Sequence, residues 1–153
     1  MARAKYALSN SGEISLGAGA AKVVLEATAP SAAPMEITKN PTISFNGTSA
    51  TDGKILVEAV RGSTSGSGDT VNPVARNGNN PTSTTGPTGK ENYGSGTQPT
   101  GGTVIWADYV EPYRCGFPIP IAGTLLAPGE RIGIRCNSPT SKSCRANFPD
   151  LEV

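Results

Sequence analysis

The chain has 153 residues, 13 basic and 12 acidic side chains, no histidine, 19 glycines and 13 prolines. That length suits one domain with a real core. The glycine and proline content argues against a helical bundle, since they cost about 1 and about 3 kcal/mol inside a helix. The lack of histidine removes Ser-His and Cys-His nucleophile pairs and histidine metal sites, and the even charge balance leaves no basic stripe for nucleic acid.

Residues 1–12 form a short mixed arm, Ala2-Arg3-Ala4-Lys5-Tyr6-Ala7-Leu8, closed by the polar turn Ser9-Asn10-Ser11-Gly12. Such an arm either frays or adds a strand to a partner's sheet, where backbone hydrogen bonds supply the affinity. Arg3, Lys5 and Tyr6 are its candidate contact residues. It does not lead into a signal-peptide apolar core, so synthesis in a cytoplasm is expected.

From residue 13 the hydrophobic signal has period two and comes in short pieces. Strands are expected at 13–16, 22–26 and 35–38, resuming at 42–45 after Asn40-Pro41. A proline there predicts an edge strand or a bulge. Asn46-Gly47-Thr48 reads as a turn with a capping threonine rather than a glycosylation acceptor. Residues 54–60 are apolar at both parities, as in a central sandwich strand.

Residues 62–103 stand apart, with ten of the nineteen glycines and four prolines. Gly62-Ser63-Thr64-Ser65-Gly66-Ser67-Gly68 and the run 81–89 look like linker, and the glycines read as flexible loop rather than a phosphate cradle. The segment is expected to be a long surface excursion between two central strands, ordered, if at all, by a neighbouring subunit. Beyond it, 103–110 reads as a long strand and 116–121 as extended but proline-interrupted. Then come 124–126 before the turn Pro128-Gly129, and 131–136 and 143–148, which alternate polar and apolar residues.

This makes about eight strands and no helix of useful length. The fold class is all-β, an antiparallel β-sandwich or jelly roll formed by a single domain at 13–153, with one long Gly/Pro/Thr-rich loop. Apolar runs such as Val23-Val24-Leu25 fall far short of the ~20 residues of a membrane span. Cys136 and Cys144 read as small reduced hydrophobes on neighbouring strands, a hairpin disulfide being the other reading, and no metal site is expected.

Two further clusters are candidates for interaction. Trp106, Tyr109 and Tyr113 near Asp108 and Glu111 have the composition of a carbohydrate platform, or else Trp106 packs in the core or at a subunit contact while Tyr109 faces away. Asp108 and Glu111, three apart, point to opposite faces of a continuing strand, which disfavours a carboxylate-pair hydrolase. Arg131 and Arg135 share one strand face across Gly133, forming an ion-pair patch toward another subunit or a solvated face.

Several pieces together resemble small structural proteins encoded near the head genes of tailed bacteriophages and prophages. They are the opening Met1-Ala2-Arg3-Ala4-Lys5-Tyr6, the stretch Phe45-Asn46-Gly47-Thr48-Ser49-Ala50, then Val57-Glu58-Ala59-Val60-Arg61 and Gln98-Pro99-Thr100. They continue through Pro128-Gly129-Glu130-Arg131-Ile132-Gly133-Ile134-Arg135-Cys136 to an acidic C-terminal strand. The resemblance covers most of the chain in order, apart from 62–97. It implies a β-sandwich virion protein without enzymatic activity or cofactor: a capsid decoration (cement) protein, homotrimeric, seated on the major capsid protein of the shell. A receptor- or carbohydrate-binding module of a tail or fibre is the alternative. Pro41 and Pro149 depart from the pattern and put the pairing of their strands in question.

Overall fold

A computed structural model describes residues 3–76, 86–94 and 96–153. In chain order the strands are β1 (Lys5–Ser9), β2 (Ile14–Leu16), β3 (Ala21–Thr28), β4 (Met35–Ile37) and β5 (Thr42–Phe45). A 3-10 turn at Ala50–Asp52 precedes β6 (Ile55–Arg61), β7 (Asp69–Val71), β8 (Val74–Ala75) and β9 (Thr88–Glu91). The last five are β10 (Thr103–Val110), β11 (Phe117–Pro118), β12 (Thr124–Leu126), β13 (Arg131–Asn137) and β14 (Lys142–Glu152).

They form two antiparallel sheets in a β-sandwich. One has the order β10-β6-β13-β3-β9-β7; the other runs β11-β5-β14-β1-β8, with β2, β4 and β12 added around β14. Eleven-residue β14 is the spine of the second sheet. It pairs with β2 and then β1 along one side, and with β5 and then β4 along the other. The inward residues of both sheets meet in one core. Leu8, Met35, Ile43 and Phe148 come from one side and Leu25, Ile55, Ile132 and Ile134 from the other, all fully buried.

Both prolines that put pairing in question are accommodated at irregularities. Pro41 sits in the break between β4 and β5, and its carbonyl accepts Ile119 N–H at 2.8 Å. Pro149 falls where the β1–β14 register shifts, between Leu8↔Phe148 and Tyr6↔Leu151. There its missing N–H interrupts no ladder bond. Gly47 lies so close to Pro112 that a Cβ would collide with its carbonyl, so the 46–48 turn needs glycine for close approach. Cys136 and Cys144 are buried and unpaired, on strands of different sheets, and Cys115 is exposed. Burial pushes the Cys136 thiol well above the ordinary range, with Cys144 beside it.

Two expectations are corrected. The residues of the N-terminal arm are no free arm: Lys5–Ser9 lies between β14 and β8 of its own sheet. Nor are residues 62–103 a plain surface excursion awaiting a neighbour. They carry β7, β8 and β9, and β9 extends the six-stranded sheet beside β3. Part of the linker-like run at 81–89 lies outside the described residues. What composition concealed is that one tyrosine and one carboxylate anchor the segment.

Tyr93 is fully buried and donates its hydroxyl to Glu26 Oε1 at 2.9 Å. Gly66 and Gly68 pass so near its ring that a Cβ would reach within 3.0 Å of it. These glycines serve close packing around the ring. Glu91, at the end of β9, accepts from Asn10 Nδ2 at 2.9 Å, from Ser11 N–H at 2.9 Å and from the Ser11 hydroxyl. Asn10 is buried and has every side-chain atom engaged: Nδ2 also donates to Val24 O at 2.8 Å, and Oδ1 accepts Ala146 N–H at 2.7 Å.

Asn10→Ala removes these bonds and leaves the Glu91 carboxylate and two backbone groups short of partners. A loss of about 3 kcal/mol is expected, because unmade buried bonds to a charged acceptor are costly. The urea midpoint of the variant measures it; a midpoint equal to that of the parent would show that the network carries no stability.

Candidate interaction surface

The N-terminal candidates are engaged within the chain. Arg3 Nη1 lies 3.3 Å from Glu36 and 3.5 Å from Glu152, and Lys5 Nζ lies 3.5 Å from Glu152 and 4.0 Å from Asp150. Tyr6 packs against the core, with its ring over Gly86. Because β1 is an interior strand, these residues brace two strands and the chain end.

Arg131 and Arg135 share the outer face of the six-stranded sheet, as their spacing predicts, but each pairs inside its own sheet. Arg135 Nε donates to Glu58 at 2.7 Å, directly across the β13–β6 ladder. Arg131 Nε stands 3.7 Å from Glu26. Beside them Arg61 meets Glu130 through two bonds, at 2.6 and 2.9 Å. That bidentate pair holds the Glu130 carboxyl below its ordinary range, and Glu130 also accepts Ala127 N–H. Glu26 differs. The segment around Tyr93 covers it, and burial raises its pKa despite the Tyr93 and Ser63 hydroxyls and Arg131. Tyr93 in turn is pushed up by burial and by the facing carboxylate.

The aromatic candidates divide. Trp106, Tyr109 and Tyr113 are not brought onto one platform. The β10–β6 ladder is regular from Trp106 to Val110, so Trp106 and Tyr109, three apart, lie on opposite faces. Trp106 is partly buried against the core, its ring 6.2 Å from that of Phe117. Tyr109 and Tyr113 are 63% and 45% exposed. Glu111 pairs with Lys54 at 3.4 Å, while the Asp108 carboxylate accepts the N–H of its neighbour Tyr109 at 2.7 Å.

These residues mark a feature that period-two reading missed. β10 is eight residues long and ends its sheet, bonded to β6 on one side only. Every residue from Thr103 to Tyr109 except Trp106 is exposed, including Val104 at 43% and Ile105 at 39%. The core reaches this strand only at Trp106, through Phe117, and at Val110. Apolar residues at both parities are the pattern of a strand covered on both faces. Here one face is covered only at Trp106 and Val110, the other is exposed, and among the described residues the edge is open.

Open grooves of about 370 and 270 Å³ run along β14. Ser15, Asn46, Lys142 and Ser143 line the first, and Thr42, Ser44, Arg145 and Asn147 the second. Among the described residues no group of three or more Cys, Asp or Glu is placed to hold a metal ion, and no helix is long and apolar enough to cross a membrane. No protein-family model, curated protein or solved structure matches this chain.

The raised pKa of Glu26 carries a sign that can be tested. Between the ordinary value of 4.5 and the raised folded value, the native state binds more protons than the unfolded one, so this group lowers stability as pH rises. Replacing Glu26 by Gln keeps an acceptor for Tyr93 and removes the titration. The stability difference between Glu26→Gln and the parent should therefore grow in favour of the variant from pH 4 to pH 7, read by urea titration across that window. A difference independent of pH would show that Glu26 ionises as readily folded as unfolded.

Proposed function

We propose that this chain is a structural virion protein of a tailed bacteriophage, a capsid decoration (cement) protein that binds the outer shell and stabilises it. The observation that carries the reading is β10: a long, apolar edge strand that the core of an otherwise well-packed sandwich covers only at Trp106 and Val110. An assembly protein needs a stable β-core and a surface that gains by being covered, because symmetry multiplies many weak contacts. The ordered sequence resemblance to head-gene structural proteins supplies the kind of assembly. The internal pairing of Arg3, Lys5, Arg131 and Arg135 leaves apolar contact and strand pairing, rather than charge, as the main means of association.

A glycan- or receptor-binding module stands second. Exposed Tyr109 and Tyr113 favour it, and the placement of Trp106 on the other face counts against a shared platform.

The test is addition of purified protein to shells that lack it. Saturable binding and a higher temperature of shell disruption are expected. Shells that neither take up the protein nor gain heat resistance would overturn the reading, and binding on a glycan panel lost in Tyr109→Ala would favour the second one.

A further inference from the structure

The geometry points to a second copy of this chain as the occupant of the β10 edge. We infer that two copies pair β10 antiparallel across a two-fold axis, making one continuous sheet of twelve strands from two six-stranded ones. This deepens the assembly role proposed above by naming the surface through which copies meet.

The first argument is what the edge lacks. Sheet edges are kept from pairing by short length, charged side chains, proline, β-bulges, inward-pointing charges or a covering element. Among the described residues the other edges follow that rule. β2, β7 and β12 have three residues each, β8 and β11 have two, Pro73 precedes β8 and Pro118 lies in β11. β10 has eight residues, no proline and no basic side chain, and its only guards are a register irregularity at Ile105, between Val104 and Trp106, and the single charge of Asp108.

The second argument concerns the partner. Strand pairing needs a comparably long open edge, and on this molecule only β10 offers one among the described residues. A strand pairing antiparallel with its own copy generates a closed two-fold contact. No further copy can then add to the same edge.

The third argument is register. A two-fold axis perpendicular to the sheet sets residues of the same parity opposite each other. Over the regular stretch from Trp106 to Val110, centring on Asp108 opposes two carboxylates, which is unfavourable. Centring on Ala107 separates them, places each Asp108 opposite the partner's Trp106, and leaves the small Ala107 side chains at the axis. Exposed Tyr109 then becomes covered, and Ile105, at the register irregularity beside that stretch, lies at the rim of the contact.

The native mass by light scattering on a sizing column tests this. The parent is expected at about twice 15.6 kDa. Ile105→Lys and Tyr109→Lys, at exposed positions that leave the core intact, are expected at the monomer mass with an unchanged urea midpoint. As a second readout, Ala107→Cys in a Cys115→Ser background should cross-link into a covalent dimer on mild oxidation. Directly opposed Cβ atoms lie about 4.5–5.5 Å apart, and a small shift brings them within disulfide reach. A monomeric or trimeric parent, or a dimer indifferent to both lysine variants, overturns the inference. Shell binding by a chain that stays monomeric would remove β10 pairing while leaving the decoration role in place. A dimer broken by the lysine variants, with no shell binding, would do the reverse.

Discussion

Asn10 makes four buried hydrogen bonds with one side chain and its own N–H, and the two sheets meet through them. On one side its Oδ1 accepts Ala146 N–H of β14 and its backbone N–H donates to Ala146 O. On the other it holds Val24 of β3 and Glu91 of β9. A short polar turn between β1 and β2 thereby becomes the joint between the layers. Buried amide and carboxylate groups are tolerated inside a protein only when their capacity is met, and here the fold meets it. The same joint decides the course of the chain after β6, since Glu91 can reach Asn10 only if β9 lies beside β3.

The second consequence lies on the outer face of the six-stranded sheet. Once β9 is placed, Tyr93 follows two residues later and lands on Glu26, with Gly66 and Gly68 closing over its ring. The sheet is thus covered on its outer side around Glu26, while its far edge at β10 is covered only at Trp106 and Val110. One long segment protects one end of the sheet and leaves the other open. That asymmetry leaves ion-paired arginines across the middle of the sheet and an apolar strand at its rim.

Association at such a rim depends on few residues. An antiparallel strand pair gains most of its affinity from backbone hydrogen bonds, which any sequence supplies, and its selectivity from side chains that fit and charges that avoid each other. In β10 the selective elements are the small Ala107, the lone Asp108 and the exposed Ile105 and Tyr109. Asp108 also accepts the Tyr109 N–H, so that donor already has a partner within the strand.

Local residue pattern is enough to set the structural class of this chain. Period-two patterning at 22–26, 54–60, 131–136 and 143–148, with turns at Asn46-Gly47 and Pro128-Gly129, specifies strands whose apolar sides must be buried, which makes an all-β sandwich. It also placed Arg131 and Arg135 on one face, because alternation along a strand is local geometry, while leaving open whether Trp106 and Tyr109 share a platform. Tertiary structure alone decided the rest. A glycine-rich run reads as linker until a buried tyrosine gives its glycines something to pack against. A strand apolar at both parities reads as central until its neighbours leave it at an edge. Whether a charged residue faces a partner or its own sheet depends on which strands lie side by side. Sheet order and the long-range bonds of Asn10, Glu26 and Tyr93 join residues up to 136 apart, and no local pattern carries that information.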